Sequence, residues 1–149
     1  MVAGWALGKT HGLAHWQRVE RNGLLLADLG GDINLKVVRY FAYLHDSCRN
    51  NNGYDPQHGP RASRLIDKLH HTLLASLTHQ EIALLHTACL YHTTLTHFGQ
   101  PTIDACFDAD RLDLPRVGIQ PYADKMASSQ GQYFAVHPDK FHAATEQVD

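Results

Sequence analysis

The sequence predicts an all-α protein, a compact helical bundle. Apolar residues recur at the three- and four-residue intervals of amphipathic helices, and glycines, prolines and capping residues separate these segments. No segment shows the two-residue alternation of a half-buried strand, and the sequence contains no internal repeat. With 149 residues, of which 44% are hydrophobic, the chain is long enough to bury one core, so we expect a single domain over residues 1–149.

The first helix is predicted from His11 to Leu29, because a stop at Gly30-Gly31 follows a series of apolar residues near helical spacing. That series is Leu13, Trp16, Val19, Leu26 and Leu29. Asp32 is the predicted N-cap of a second helix, which we expect to be central and largely buried. Its apolar face consists of Ile33, Val37, Phe41 and Leu44. The polar segment SCRNNNGYDPQHGP, residues 47–60, is then the longest expected interior loop.

A third helix is predicted from Arg61 to Leu77, where leucines follow one another at four-residue spacing. Thr78 opens THQE, a capping-box pattern that starts a fourth helix, from His79 to about Tyr91. The segment TIDACFDADRLDL, residues 102–114, is expected to form a short fifth helix ended by Pro115. Residues 119–149 are expected to be a loosely specified C-terminal extension, since they show no strong periodicity from Ser128 onward.

Composition argues against several classes of protein. A formal net charge of -2 gives no electrostatic reason to expect a nucleic-acid platform. No apolar stretch approaches the ~20 residues of a membrane span, and the start of the chain, MVAGWALGKTHG, lacks the features of a signal peptide. We therefore expect a cytoplasmic protein without a membrane partner. Three cysteines without CxxC spacing favour neither a disulfide framework nor a thiolate zinc site.

Histidine is the compositional outlier. Twelve residues are histidine, and they are scattered from His11 to His142 rather than gathered in a tag. The dipeptide His45-Asp46 ends the buried second helix, where a carboxylate must be paired or bound to a cation. The alternative is a helix C-cap histidine beside a solvated aspartate. His15, one turn after His11, and Asp110 in the fifth helix add donors that suit manganese, iron, zinc or magnesium.

Four segments, in order, resemble the signature of the HD-domain superfamily. They are HWQRV, LHDSCRNN, QHGPRAS and DADRLDLPRVG, and the resemblance covers about residues 11–118. Members of that superfamily are helical, metal-dependent phosphohydrolases. By motif position the resemblance implies four metal ligands, which are His15, His45, Asp46 and Asp110. Asp110 matches the ligand position of the motif better than Asp108 does.

The resemblance also implies a second metal site, as in binuclear members of the superfamily. His58 begins HGPRAS and His92 ends the fourth helix, and with both of them Asp46 would bridge two ions. The alternative is that each is a surface or helix-end histidine. That alternative is favoured for the remaining histidines other than His11, which are His70, His71, His79, His86, His97, His137 and His142.

The proton-transfer group is left open by a departure from the family pattern. Members that hydrolyse nucleotides commonly carry an acidic residue shortly after the His-Asp pair, where this chain has Ser47-Cys48-Arg49. Besides Asp46, the candidate catalytic residue is Asp55, which can instead serve only to start the Asp-Pro turn. The candidate phosphate-binding residues are Arg18, Arg49 and Arg61, whose planar guanidinium groups suit a phosphate. The alternative for these arginines is pairing with carboxylates, the role we favour for Arg111.

The expected function is metal-dependent hydrolysis of a small phosphorylated metabolite or nucleotide. One or two divalent ions, of manganese, iron, magnesium or zinc, would activate water and neutralise phosphoryl oxygens. Two alternatives stay open. The same ligands resemble those of HD-type di-iron oxygenases, and the missing acidic residue after His45-Asp46 fits a metal-binding regulatory module without turnover.

Overall fold

The computed structural model describes residues 8–147, and over that range it is all-helical, as predicted. Its helices are α1 Gly8–His11, α2 Leu13–Asp28, α3 Leu35–Leu44, α4 His58–Leu69, α5 His79–Tyr91, α6 Pro101–Arg111, α7 Ser129–Val136 and α8 Pro138–Thr145. Two 3-10 turns, Leu114–Val117 and Ala123–Lys125, connect α6 to α7. Residues 1–7, which begin the segment for which no signal peptide is expected, and residues 148–149 of the C-terminal extension lie outside the described range.

The central, buried position predicted for the second helix is confirmed. Helix α3 packs against α2, α5 and α6, and its residues Val37, Val38 and Phe41 are almost completely buried. The approach of α2 to α3 depends on Gly23, because a Cβ atom added there would lie 2.3 Å from Val38 Cγ1. No helix within residues 8–147 combines the length and apolar character needed to cross a membrane.

The start of α3 differs from the prediction. Asp32 is not the N-cap; Asn34 Oδ1 accepts a hydrogen bond from the Val37 N–H at 3.1 Å. Asn34 is held by two distant residues, since its N–H donates to Thr102 Oγ1 and its Nδ2 donates to Glu81 Oε2, both at 2.9 Å. Glu81 also forms the capping box with Thr78 that starts α5, whose predicted range is confirmed. The predicted first helix is divided at Gly12 into α1 and α2.

The prediction for the third helix was wrong at both ends, because α4 runs from His58 to Leu69. Its first turn contains Pro60, which is tolerated there because the N–H groups of a first turn have no partner within the helix. Residues 70–77 form turns. Within them Leu73 is 76% exposed whereas Leu74 is 2% exposed, so the leucine spacing does not mark one buried helix face.

The fifth helix is confirmed in type but not in its limits. Helix α6 ends at Arg111, and Pro115 lies in the following 3-10 turn. The C-terminal extension, expected to be loosely specified, instead contains α7 and α8. Ser128 caps α7 by accepting a hydrogen bond from the Gly131 N–H at 3.0 Å. Phe134 and Phe141 then bury these two short helices against the core.

Candidate metal centre

The six predicted metal ligands lie together in the structure, although they come from five helices or helix ends. The histidines are His15 in α2, His45 after α3, His58 at the first residue of α4 and His92 after α5, and the aspartates are Asp46 and Asp110, the latter in α6. The four imidazoles and Asp46 are each no more than 4% exposed. Three of the four imidazoles thus lie at the first residue of a helix or directly after its last one, and His15 lies in the first turn of α2.

His15, His45 and Asp46 form one group that could hold a metal ion. The Nε2 atoms of His15 and His45 are 3.2 Å apart, and each lies 3.4 Å from Asp46 Oδ2. Asp110 adds a fourth donor, because its Oδ1 lies 3.1 Å from His15 Nε2 and 3.4 Å from His45 Nε2. Asp110 thus lies beside this group, close enough to both imidazoles to share a cation with them.

Asp46, His58 and His92 form a second group that could hold a metal ion. The Nε2 atoms of the two histidines are 3.0 Å apart. Asp46 Oδ1 lies 3.2 Å from His58 Nε2 and 3.9 Å from His92 Nε2. Asp46 therefore presents one oxygen to each group, which is the arrangement of a carboxylate that can bridge two cations.

Hydrogen bonds at Nδ1 fix the tautomers of the imidazoles. His45 Nδ1 donates to Phe41 O at 3.0 Å, His58 Nδ1 to Asp55 O at 2.5 Å, and His92 Nδ1 to Cys89 O at 2.7 Å. Because a carbonyl oxygen can only accept, each of these Nδ1 atoms carries a proton, so in the neutral form of each ring Nε2 presents a lone pair. His58 and His92 face each other through Nε2 at 3.0 Å, and a proton or a metal ion between them would remove the repulsion of two such lone pairs.

Asp113 supports the same centre, although no role at a metal site was predicted for it. Its Oδ2 accepts a hydrogen bond from His15 Nδ1 and its Oδ1 accepts one from Arg18 Nε, both at 2.7 Å. A carboxylate in this position orients a metal-ligating imidazole and raises its basicity. One feature of the sequence could have indicated this role: Asp113 follows the predicted ligand Asp110 by three residues, which is the spacing that places side chains on one side of a helix.

The electrostatics of the centre favour a bound cation. Burial alone would lower the pKa of His15, but hydrogen bonds to three carboxylates outweigh that effect and raise the pKa to about 10. Burial also opposes the charged forms of Asp46 and Asp110, yet the histidines that face them hold the pKa of each carboxyl well below its usual range. The centre thus keeps its carboxylates charged and binds a proton tightly where a metal ion could bind instead.

Each of the three predicted phosphate-binding arginines is paired with a carboxylate: Arg18 with Asp113, Arg49 with Asp46, and Arg61 with Asp55. Arg49 contacts the centre itself, with its Nε 3.1 Å from Asp46 Oδ1. Their binding of phosphate stays a prediction. Arg111 differs from its expected role, since it donates to the main-chain carbonyls of Leu95, Thr96 and Lys125.

Asp55 and Asp108 lie apart from the ligand atoms. The Asp55 carboxylate accepts from the Asn50 N–H at 2.8 Å and pairs with Arg61, contacts that favour the turn-forming alternative over catalysis. Those bonds lower the pKa of the Asp55 carboxyl, although burial opposes them. Asp108 accepts hydrogen bonds from Ala127 and Ser128, so it anchors the start of α7.

His11 lies beside the centre, with its Nδ1 3.2 Å from Asp46 Oδ2 and its Nε2 3.1 Å from Asn52 O. Among the other histidines, His86 pairs with Asp67, and the rings of His70, His71 and His79 pack against one another.

Comparison with known proteins adds nothing to this geometry, because no family model, curated protein or solved structure matches the chain.

Proposed function

We propose that the protein is a metal-dependent phosphohydrolase of the HD-domain type, which holds two divalent ions and acts on a small phosphorylated metabolite or nucleotide. The supporting observation is the position of Asp46. Its two oxygens face two separate imidazole pairs, and in each pair the Nε2 atoms lie within 3.2 Å of one another. A mononuclear site would leave one of these pairs without a cation.

The donor types fit divalent ions. Four imidazole nitrogens and the oxygens of two carboxylates suit manganese, iron or zinc better than magnesium, which prefers oxygen ligands. Among the residues that the structure describes, the second group consists of three protein side chains, those of Asp46, His58 and His92. A metal ion held by three protein ligands keeps a position for water or substrate, as catalytic zinc sites do.

Ions bound at these groups would lower the pKa of a bound water and neutralise phosphoryl oxygens. Arg49 is the residue of the chain best placed to bind the phosphate. Its Nε is held by Asp46 and its Nη1 donates to Gly53 O at 3.1 Å, whereas its Nη2 has no hydrogen-bond partner among residues 8–147. We therefore assign to Nη2 a charge-assisted hydrogen bond to a phosphoryl oxygen.

The first experiment measures metal content and hydrolysis together. Metal-stripped protein is reloaded separately with manganese, iron, zinc, cobalt, nickel and magnesium, and each form is assayed against phosphomonoesters, phosphodiesters and nucleotides. We expect two ions per chain and release of phosphate that depends on the metal. The matched control is His86→Ala, which removes a histidine paired only with Asp67 and should change neither result.

Asp46→Asn provides the sharper test, because it keeps the shape of the side chain but removes the charge that both groups share. We expect it to bind neither ion tightly and to lower hydrolysis by at least about 100-fold, the scale on which loss of charge stabilisation acts. His58→Ala and His92→Ala should each retain one ion. Hydrolysis that survives in Asp46→Asn would contradict the proposal.

The same ligand set is also compatible with two irons that activate dioxygen. Two irons per chain, dioxygen uptake and no release of phosphate would replace the hydrolase proposal with an oxygenase. Bound ions without either activity would favour a regulatory module.

A further inference from the structure

A cavity lies between α2 and the C-terminal helices α7 and α8. Its volume is about 350 Å³, and apolar side chains including Phe134 and Phe141 form part of its wall. Two arginines of α2, Arg18 and Arg21, also line it. This volume lies at the small end of the range for ligand pockets, ~300–1,000 Å³. The cavity can therefore hold a molecule of metabolite size.

Positive charge exceeds negative charge around this cavity. Asp113 supplies the one carboxylate among the described residues that line it. That carboxylate is already shared, because it pairs with Arg18 and with His15, and Arg116 Nε lies 4.0 Å away. Arg21 forms no ion pair with a carboxylate in the part of the chain that the structure describes. An anion in the cavity would balance the excess charge.

The two arginines of α2 also have unused hydrogen-bond donors. Arg18 bonds Asp113 through Nε, and its Nη atoms have no partner among residues 8–147. Arg21 Nη2 donates to Asn22 Oδ1 at 3.3 Å, while its Nε is buried without a hydrogen-bond partner. A buried donor without an acceptor is costly. Because the two residues are three positions apart in a helix, their guanidinium groups lie on the same side of α2.

We propose that this cavity binds a small organic anion, whose charged carboxylate or phosphate-like group lies against Arg18 and Arg21 and whose apolar part lies against Phe134 and Phe141. The cavity adjoins the candidate metal centre through Asp113, but none of the six candidate metal ligands lines it. Asp113 lies in the cavity wall and holds His15 at Nδ1, whereas the ligand atom of His15 is Nε2, which points away from Nδ1. Binding of an organic anion in this cavity does not depend on the proposed phosphohydrolase function.

The experiment titrates phenylphosphonate, benzoate and inorganic phosphate into the protein as purified and after chelation, with calorimetry as the readout. We expect phenylphosphonate and benzoate to bind in both states, and inorganic phosphate to bind at least tenfold more weakly because it lacks an apolar part. A difference between the two organic anions would distinguish a preference for phosphate-like groups from one for carboxylates. Binding that disappears on chelation would place the anion at the metal centre and overturn the proposal.

Two variants locate the site. Arg21→Gln should weaken phenylphosphonate binding by about tenfold or more, because a charge-assisted hydrogen bond is lost. Arg39→Gln is the matched control, since it removes an exposed arginine from α3 and should leave binding unchanged. Gln120 is an exposed residue of the cavity wall, so Gln120→Trp fills part of the cavity while both arginines remain. This variant should abolish binding. The proposal would be overturned if Arg21→Gln and Gln120→Trp both bound phenylphosphonate as strongly as the wild type does, or if the wild type bound none of the probes.

Discussion

Each imidazole of the candidate metal centre uses its two ring nitrogens for different purposes. At His45 and His92, Nδ1 donates to main-chain carbonyls at the ends of α3 and α5, where such oxygens lack partners within the helix. The same hydrogen bond therefore caps the helix and aims Nε2 at Asp46. His15 lies in the first turn of α2, where N–H groups rather than carbonyl oxygens lack partners, so a carboxylate from another part of the chain, Asp113, performs this task.

The role of Asp113 can be tested by Asp113→Asn, which removes the charge behind His15. We expect the affinity for the metal to fall by about 10- to 100-fold, as for other residues that support a ligating histidine. Competition against a chelator of known affinity measures the change. Asp67→Asn, in a surface pair with His86, should leave metal affinity unchanged. An unchanged affinity in Asp113→Asn would show that Asp113 serves only to pack α2 against the 3-10 turn.

The proton affinity of His15 predicts a dependence on pH. Its pKa rises from 6.5 to about 10 on folding, so in the metal-free protein it stabilises the fold fully below pH 6.5. This contribution is lost as the pH rises towards 10. We expect denaturant titrations of metal-free protein to show falling stability across this window, and a flatter profile for metal-loaded protein, in which an ion replaces the proton.

Proton release provides the direct measurement for the same group. Addition of zinc to metal-free protein at about pH 8 should release a proton, because the ion displaces it from Nε2 of His15. His86→Gln should release the same number of protons as the wild type. Zinc uptake without proton release would mean that His15 is already neutral.

The residues of the candidate metal centre were easier to predict from the sequence than those of the anion cavity, for a physical reason. His15, His45, Asp46 and Asp110 belong to unusual combinations of polar residues within apolar segments, which are visible without any tertiary contact. Arg21 carries no such signal. Its place in a cavity depends on helices α7 and α8, which the sequence did not predict.

At the level of helices, prediction succeeded where local hydrogen bonds determine the ends. Helix α5 begins at a capping box whose two members are three residues apart, and its limits were predicted correctly. The start of α3 was not, because Asp32 and Asn34 are both suitable caps and the choice depends on Thr102 and Glu81, far away in sequence. Helices α7 and α8 have eight residues each, too few to establish a periodic pattern.

Helices α4 and α5 approach so closely that Gly59 is required between them. A Cβ atom at Gly59 would lie 2.7 Å from Cys89 O and 3.2 Å from Leu90 O. We expect Gly59→Ala to separate the helices and reduce stability by about 1–3 kcal/mol, the usual cost of overpacking. Since His58 and His92 lie on either side of this contact, the variant should also lose the second ion in metal analysis.

The control for this substitution is Gly53→Ala in the exposed loop, where an added Cβ would meet Asn51 Oδ1 at an ordinary 3.5 Å. It should retain the stability and metal content of the wild type. Two ions per chain in Gly59→Ala would show that the helices can separate without disturbing the second group of ligands.

For the whole molecule, the candidate metal centre brings together helices that are far apart along the chain. Binding at a free ion concentration 100-fold above Kd contributes about 2.7 kcal/mol, and each kcal/mol raises Tm by about 2–4 °C at this chain length. We therefore expect chelation to lower Tm by roughly 5–10 °C, measured by calorimetry. Asp46→Ala should show a low Tm that metal does not raise. An equal response of wild type and Asp46→Ala to metal would mean that the ion acts elsewhere.

The distance along the chain between His15 and Asp110 has a consequence for biosynthesis. A ribosome adds about 5–20 residues per second, so the early histidines are made several seconds before Asp110 and Asp113 emerge. Until then α2 has its imidazole but neither of the carboxylates from the segment that begins with α6. A nascent chain therefore presents Asp46, His58 and His92 together before the group of His15, His45 and Asp46 gains its fourth donor, Asp110, and the carboxylate that orients His15. In the proposed binuclear centre, the second site would be complete before the first.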